Sequence, residues 1–121
     1  MYDHIGLRVQ DIDRSVRFYE AALKSLGHVV NSRDASGAGI GPKDSSALWL
    51  HLSKDKGTGA HVAFSAPDRA AVDRFHAAGL SAGGKDNGKP GLRADYGPNY
   101  YAAFVVDPDG YRLEAYCGAE A

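Results

Sequence analysis

The sequence predicts an α+β fold in which two βαβββ modules build a curved mixed sheet, or cup, with helices outside. The first observation is an internal repeat, because residues 3–27 align with residues 60–84 at an offset of 57. The second is that each copy opens with alternating apolar and polar residues, as a half-buried strand does. The third is that apolar residues then recur at helical spacing. The repeat indicates a pseudo-twofold arrangement, and it pairs His4 with His61, Asp11 with Asp68, Phe18 with Phe75 and Gly27 with Gly84.

The first module is predicted over about residues 1–55. Residues 4–9 alternate, with Ile5, Leu7 and Val9 on one face, and this pattern predicts the first strand. Asp11 or Asp13 can cap the helix predicted over 13–26 by its apolar spacing, and Gly27 ends that helix. Three further strands are predicted at 28–32, 38–41 (a strand or a turn) and 47–52.

The second module is predicted over about residues 59–118 and repeats this order. A strand over 61–66 precedes a helix that starts at Pro67 and Asp68, buries Val72 and Phe75, and ends early at Gly79. The stretch 81–99 is rich in Gly, Lys and Asp, which favours a functional loop with at most a short strand. Two strands, 100–106 and 111–116, flank a DPDG turn.

Composition bounds the class of protein. A chain of 121 residues fits one domain over 1–121, and 44% hydrophobic residues supply one ordinary core. A net charge of −1 removes the electrostatic basis for nucleic-acid binding. The start has no signal-peptide pattern, no apolar run is long enough for a membrane helix, and the lone Cys117 excludes an internal disulfide. We therefore expect a cytoplasmic protein with neither a nucleic-acid nor a membrane partner.

Strand alternation brings three potential metal ligands to one surface. If the apolar residues of the first strand pack against the helices, His4 faces the inner surface of the sheet, and His61 does the same one repeat later. Glu114 lies mid-strand between Leu113 and Ala115, where an acidic residue needs a partner. Two imidazoles and a carboxylate suit a divalent metal with open positions, either Zn²⁺ or a 2-His-1-carboxylate Fe²⁺ or Mn²⁺ site.

These segments resemble a known family. DHIGLRVQDIDRSVRFYEAAL, HVAF and DPDGYRLEAY are similar to the vicinal oxygen chelate superfamily, which includes glyoxalase I, fosfomycin- and bleomycin-resistance proteins and extradiol dioxygenases. The resemblance covers nearly the whole chain. It implies a glyoxalase-like cup of paired βαβββ modules, a homodimer, and a divalent metal that chelates a small substrate through vicinal oxygens. Carried over by position, the metal ligands are His4, His61 and Glu114.

The sequence departs from glyoxalase I at one position. The resemblance implies a fourth ligand, a glutamate on the last strand of the first module, which is also the base that moves a proton between carbons. LWLH (48–51) stands there, so the equivalent of Glu114 is Trp49, which can neither ligate a metal nor abstract a proton. His51 shares the face of Trp49 and could substitute if the register shifts. Glu114 and His51 are therefore the candidate catalytic residues.

Further side chains are candidates for substrate binding. Arg8 and Arg112 could hold an anionic substrate or pair with acids. Tyr101 and Tyr116, like Tyr100, could donate hydrogen bonds to a substrate oxygen, although packing also explains them. Trp49 could form an aromatic wall or be an ordinary buried residue. Solvated or structural roles are expected for the remaining candidates, Lys85, Lys89, Arg93, His28 and His76.

Two functions follow from this reading. The first is a glyoxalase-like metalloenzyme in which a divalent ion (Zn, Mn, Fe or Ni) acts as Lewis acid in an isomerase or lyase reaction, a transfer to an electrophile, or a dioxygenation. The second is a non-catalytic protein that sequesters a flat or cationic small molecule, as bleomycin-resistance proteins do, with Glu114 paired to an arginine in a metal-free cup.

Overall fold

A computed structural model describes residues 1–55, 57 and 59–120 of the chain. The order βαβββ occurs twice along the chain. The first module contains β1 (Ile5–Val9), α1 (Ile12–Leu23) extended by a 3-10 turn (Lys24–Leu26), β2 (Val29–Asp34), β3 (Gly37–Gly41) and β4 (Leu48–Leu52). The second contains β5 (His61–Ser65), α2 (Arg69–Ser81), β6 (Lys85–Leu92), β7 (Tyr101–Val106) and β8 (Arg112–Cys117). This order confirms the predicted fold class.

The described strands form two four-stranded sheets with the same topology. The strand order is β1-β4-β3-β2 in the first sheet and β5-β8-β7-β6 in the second. In each sheet the first strand of the module pairs in parallel with the last, and the other neighbours are antiparallel. The first strand of each module is consequently an edge strand. The chain passes from the first sheet to the second between Leu52, where β4 ends, and His61, where β5 begins. The module boundaries near 55 and 59 stay predictions.

Helix α1 has the start and buried face that its sequence predicts. The side chain of Asp11 caps the helix by accepting a hydrogen bond from the backbone N–H of Arg14 at 3.0 Å. Its buried residues include Val16 and Tyr19. Gly27 ends the segment in the left-handed region, at φ 89°, where an L side chain would be strained.

Helix α2 is longer than predicted. Asp68 caps it, and Val72 and Phe75 are fully buried, as expected. The prediction that Gly79 ends the helix is wrong, because the helix continues to Ser81. A Cβ on Gly79 would lie 3.4 Å from a methyl group of Val105, so this glycine allows the helix to approach β7 closely rather than terminating it.

The stretch predicted as a loop contains the longest strand in the described part of the chain. Lys85–Leu92 pairs antiparallel with β7, and the register shifts on either side of Gly88. The irregular register explains the error, because glycines and charged residues on a bulged edge strand hide the period-two pattern. The neighbouring residues 93–100 are not strand.

One hydrophobic core extends through both modules, and a turn of the second module docks on the first. The hydroxyl of Tyr19 in α1 donates to the buried carboxylate of Asp107. The carboxylate of Asp109 accepts hydrogen bonds at 3.0 Å from Arg14 Nη2 and from the Ser15 hydroxyl. The DPDG turn therefore joins the second module to the start of α1. Within the described ranges, the helices are too short or too polar to cross a membrane.

Candidate functional site

A histidine and a carboxylate meet on the face of the second sheet that lies opposite the helices; in either sheet, the face opposite the helices is called the cup face below. Because β5 and β8 pair in parallel with Ala63 opposite Glu114, His61 and Glu114 lie on the same face, offset diagonally. His61 Nε2 is 3.0 Å from Glu114 Oε1. The Glu114 side chain is 6% exposed and that of His61 is 45% exposed. A nearly buried carboxylate thus holds an imidazole that solvent can reach.

Tyr100 completes this cluster. Its hydroxyl donates a hydrogen bond to Glu114 Oε2, the carboxylate oxygen that His61 does not contact. The hydrogen bond to this carboxylate, together with burial, raises the pKa of Tyr100 to about 12. Tyr100 therefore keeps its proton over the physiological range and acts as a constant donor. Both oxygens of Glu114 have partners, as a buried carboxylate requires.

The neighbouring Tyr101 points the other way. Its hydroxyl donates to Asp73 Oδ1 on α2 at 2.6 Å, and the guanidinium of Arg69 lies 5.2 Å from the centre of its ring. Tyr101 accordingly lies on the helix side of the sheet, away from Glu114. A signal for this was present in the sequence, because Tyr101 shares its face of β7 with Ala103 and Val105, both of which are core residues.

An aromatic surface surrounds the His61–Glu114 pair. The Tyr100 ring centre lies 4.3 Å from that of Tyr116 and 5.2 Å from that of Tyr96. On the other side, Phe104 is opposite Glu114 in the β7–β8 register, and its ring centre is 6.4 Å from that of His61. Tyr116, a predicted substrate contact, is therefore placed beside the pair.

Arg93 also reaches this surface, although the sequence favours a solvated loop residue there. Its guanidinium carbon lies 5.3 Å from the centre of the Phe104 ring, and its Nη2 donates to the carbonyl of Lys89 at 2.6 Å. The missed strand β6 accounts for this, since Arg93 directly follows that strand and not a free loop.

In the first module the position equivalent to Glu114 is Trp49. Trp49 lies opposite Gly6 on β1 and Gly39 on β3. A Cβ on Gly39 would come within 2.6 Å of the Trp49 ring, so the indole lies directly over this glycine. The second module has the carboxylate on its last strand and the bulky ring of Phe104 on the strand beside it, whereas the first module has an indole beside a glycine.

His51 and Arg8 lie together on the cup face of the first sheet. They are paired in the β1–β4 register, and both are exposed. A Cβ on Gly6 would be 3.4 Å from His51 Nε2, so the imidazole lies beside Gly6. In the second sheet Arg112 is exposed, and its Nη2 donates to the carbonyl of Gly59 at 3.3 Å. Roles for His51, Arg8 and Arg112 stay predictions.

His4 is apart from the other two predicted metal ligands. Strand β1 begins one residue later than predicted, so His4 lies in the preceding segment with a side chain that is 59% exposed. Its Nδ1 is 2.7 Å from Asp3 Oδ1. Among the residues that the structure describes, no three His, Cys, Asp or Glu side chains are grouped closely enough to hold a metal ion. His61 and Glu114 come together, and the place of His4 in a three-ligand site stays a prediction.

The structure also locates the two histidines for which no ligand role was expected. His76 is buried on α2, and its Nε2 is 2.9 Å from Asp86 Oδ1 on β6. This hydrogen bond lowers the pKa of Asp86. His76 therefore fastens α2 to the edge strand, while His28 lies directly before β2 on another surface.

A family model and solved structures similar to this chain point to the same family. The model of the Glyoxalase/Bleomycin resistance protein/Dioxygenase superfamily matches residues 2–115. A glyoxalase/bleomycin resistance protein from Albidiferax ferrireducens T118 has a similar structure, with 27% identity, a TM-score of 0.83, and 97% of this chain and 98% of that chain covered.

Two more distant structures share the fold. A family enzyme from Burkholderia phytofirmans PsJN is 16% identical with a TM-score of 0.74, covering 97% of this chain and 98% of that chain. A glyoxalase-related enzyme from Fulvimarina pelagi is 18% identical with a TM-score of 0.74, covering 97% and 87%. No curated protein sequence matches the chain significantly.

Proposed function

Because the chain belongs to the glyoxalase/bleomycin resistance protein/dioxygenase superfamily, we propose that it is a glyoxalase-like enzyme for a small molecule with two neighbouring oxygens. The observation that carries this proposal is the contact between His61 Nε2 and Glu114 Oε1, with Tyr100 donating to the second carboxylate oxygen. Such a carboxylate–imidazole pair is a common device for moving protons and for holding metal ions.

The two residues of the pair have different proposed roles. Glu114 is fixed by Tyr100 and is almost shielded from solvent, so it orients the imidazole. Without a metal, a His61 that donates from Nε2 to Glu114 keeps a lone pair on Nδ1, which can accept a proton from a substrate hydroxyl. His61 is the half-exposed member of the pair and is therefore the one that substrate can reach.

The pair also fits part of a metal site. Two nitrogen or oxygen ligands on one ion, with bonds of about 2.0–2.1 Å, lie about 2.8–3.0 Å apart at neighbouring octahedral positions and about 3.3–3.4 Å apart in tetrahedral geometry. The separation of His61 Nε2 and Glu114 Oε1, 3.0 Å, agrees with that spacing. We propose His4 as the third ligand; in the structure its imidazole lies beside Asp3 and is not grouped with the pair. A divalent ion (Zn, Mn, Fe or Ni) would supply Lewis-acid chemistry toward the vicinal oxygens.

The cup face supplies groups that could orient the substrate. Arg8 and Arg112 are exposed and can bind a carboxylate or another anionic group. Trp49 offers a flat apolar wall, and Tyr116 a hydroxyl beside the pair. His51 is a second candidate for proton transfer on the first module. A homodimer, in keeping with the family resemblance, is the proposed assembly.

Metal analysis of protein purified without chelator tests this function. Wild-type protein should hold about one equivalent of a divalent metal, and the variants His4→Ala, His61→Ala and Glu114→Gln should each bind at least tenfold more weakly. Glu120→Gln is the matched control, because Glu120 is exposed and lies near the chain end. Sub-stoichiometric metal that none of the three variants alters would contradict the proposal.

A second function is favoured by a different observation. Trp49 replaces the carboxylate in the first module, and Tyr96, Tyr100 and Tyr116 form an aromatic surface in the second. Such a cup could sequester a flat or cationic molecule without catalysis. The two functions separate on chelation, because binding by an aromatic surface alone survives EDTA, whereas binding through a metal does not.

A further inference from the structure

Arg93 is a half-buried cation on the cup face of the second sheet. It directly follows β6, and its backbone N–H donates a hydrogen bond to the carbonyl of Tyr100 at 2.7 Å. Residues opposite each other on paired segments share a face, so Arg93 lies on the same side as Tyr100, whose hydroxyl bonds to Glu114. The Arg93 side chain therefore belongs to the surface around the His61–Glu114 pair.

Two glycines of β6 make room for the Arg93 side chain. A Cβ on Gly91 would lie 3.2 Å from Arg93 Nη1, and a Cβ on Gly88 would lie 3.3 Å from Arg93 Nη2. The side chain consequently lies along the strand, and its guanidinium carbon is 5.3 Å from the centre of the Phe104 ring. Its Nη2 donates to the carbonyl of Lys89. Arg93 is thus held in place by the protein itself.

The charge of Arg93 has no anionic partner among the described residues. It takes part in none of the ion pairs found there, and Asp95, two positions along the chain, is not paired with it. The Glu114 carboxylate is on the same face, but its two oxygens already bond to His61 and Tyr100. A half-buried cation with N–H donors to spare is a favourable place for an anionic oxygen group of a ligand.

The strand order sets the separation between Arg93 and the pair. His61 lies on β5, Glu114 on β8 and Phe104 on β7, which are successive strands. The Arg93 guanidinium lies beside Gly88 of β6, the next strand. Phe104 therefore stands between the pair and the guanidinium. Neighbouring strands are about 4.8 Å apart, so a ligand that reaches from Glu114 to Arg93 spans roughly 10 Å.

We propose that Arg93 binds a carboxylate of the substrate and so determines which vicinal-oxygen compounds this site accepts, an inference that rests on the proposed function. The two neighbouring oxygens would lie at the His61–Glu114 pair, and the carboxylate would lie beyond the Phe104 ring. The substrate is then an elongated organic acid. A carboxylate is preferred to a phosphate dianion, because the negative charge of Glu114 on the same face repels the dianion about twice as strongly.

Arg93 is better ordered for this role than the other two arginines of the cup face. Arg8 and Arg112 are exposed. A long exposed side chain loses rotamer freedom when it binds a ligand, and that loss weakens binding. Arg93 already contacts Phe104 and the carbonyl of Lys89, so it binds an anion with a smaller loss.

Titration of the metal-free protein with benzoate, followed through the Nε–H NMR signal of Arg93, tests the proposal. Benzoate offers a carboxylate and a ring that can cover Phe104. A saturable shift is expected, and benzamide, which has a similar shape without the charge, should bind at least about fivefold more weakly. Because no metal is needed, benzoate binding by a protein that fails the metal analysis would count against the proposed function alone. A metal-loaded protein that does not bind benzoate would contradict this inference alone.

Variants locate the carboxylate, with the backbone amide signal of Phe104 as the readout. Arg93→Gln should bind benzoate at least about fivefold more weakly, since the charge and the paired donors are lost. Arg93→Lys keeps the charge without the planar donor pair, so its affinity should be intermediate. Arg74→Gln is the matched control, because Arg74 is an exposed arginine on α2, and it should bind as the wild type does. Amide signals outside residues 88–104 should be unchanged in Arg93→Gln, which shows that this variant is folded.

Three results would overturn the proposal. The first is the absence of a saturable shift in the wild type, or equal benzoate binding by Arg93→Gln and Arg74→Gln. The second is loss of binding in Arg112→Gln with Arg93→Gln unaffected, because the anion would then bind at the other arginine. The third is tighter binding of phenyl phosphate than of benzoate, which would assign a phosphate group to this position in place of a carboxylate.

Discussion

Trp49 and Glu114 occupy equivalent positions in the two modules but have opposite chemistry. Trp49 lies opposite Gly6 in the first sheet, Glu114 lies opposite Ala63 in the second, and Gly6 and Ala63 are separated by the repeat offset of 57. The carboxylate of one module is thus matched by an indole in the other. The scaffold is symmetric, while the groups that could carry chemistry are not.

Placing a carboxylate in the first module should strengthen metal binding. Trp49→Glu introduces an acidic residue at the position where the resemblance to glyoxalase I implies a fourth ligand. Its affinity for a divalent ion, measured by calorimetry, should rise at least tenfold because a further anionic oxygen ligand is added. Trp49→Gln removes the indole without adding charge and should leave the affinity near that of the wild type. Equal affinities for the Glu and Gln variants would show that this position does not face the metal.

The close packing of Trp49 on Gly39 should appear in a double-mutant cycle. Gly39→Ala places a methyl group within 2.6 Å of the indole, so it should lower the free energy of unfolding by about 1–3 kcal/mol. In the Trp49→Leu background the same change should cost less, because the ring is gone and the hydroxyls of Ser32 and Ser46 can rotate away. Urea unfolding of all four proteins gives the coupling energy. Additive costs would mean that the two residues do not interact.

The hydrogen bond from Tyr100 to Glu114 should make stability depend on pH in alkaline solution. The folded-state pKa of Tyr100 is raised from 10.0 to about 12. Below pH 10 the phenol is protonated in both states, and its contribution to stability is complete. As pH rises toward 12 the unfolded state loses this proton first, so the contribution is lost. The free energy of unfolding should therefore fall more steeply over this range in the wild type than in Tyr100→Phe.

Tyr96→Phe is the control for this measurement. Tyr96 belongs to the same aromatic surface and is exposed. Its variant should follow the wild-type pH dependence. A Tyr100→Phe profile parallel to that of the wild type would contradict the hydrogen bond. At neutral pH Tyr100→Phe should also cost about 1–3 kcal/mol, because a buried carboxylate loses one of its donors.

The turn that joins the modules should contribute to stability as a unit. Asp109→Ala removes the acceptor for Arg14 Nη2, the Ser15 hydroxyl and the backbone N–H of Gln10. We expect the free energy of unfolding, measured in urea, to fall by about 1–3 kcal/mol. Asp95→Ala, at an exposed aspartate of the segment before β7, should change it by less than about 0.5 kcal/mol. A loss no larger than that of the control would show that the turn does not hold the modules together.

The internal repeat, together with strand alternation and helical spacing, was enough to predict the fold. The matching of His4 with His61 and of Asp11 with Asp68 set the order of elements, and the caps at Asp11 and Asp68 are observed. The errors concern glycines, because a glycine can end a helix or belong to a loop but can also allow close packing or a bulge in a strand. Gly79 serves close packing rather than helix termination, and the glycines of β6 belong to a bulged strand rather than to a loop.

The candidate site was only partly predictable. Strand alternation led to Glu114 and His61, which do share a face and touch. The same rule applied to β7 would have preferred Tyr100 to Tyr101, because the face of Tyr101 continues into core residues. The position of His4 depends on a side-chain contact with Asp3 just before β1, and no periodicity in the sequence reports such a contact.

The most direct test of the account is imidazole ¹⁵N NMR during titration of the metal-free protein with Zn²⁺. The account predicts that Nε2 of His61 changes its shift and reaches saturation at one equivalent, together with a ring nitrogen of His4. The signals of His28 and His76 should not move. In Glu114→Gln both changes should require a higher metal concentration. A titration in which the His61 signal is unaffected at one equivalent would contradict a metal site at the His61–Glu114 pair.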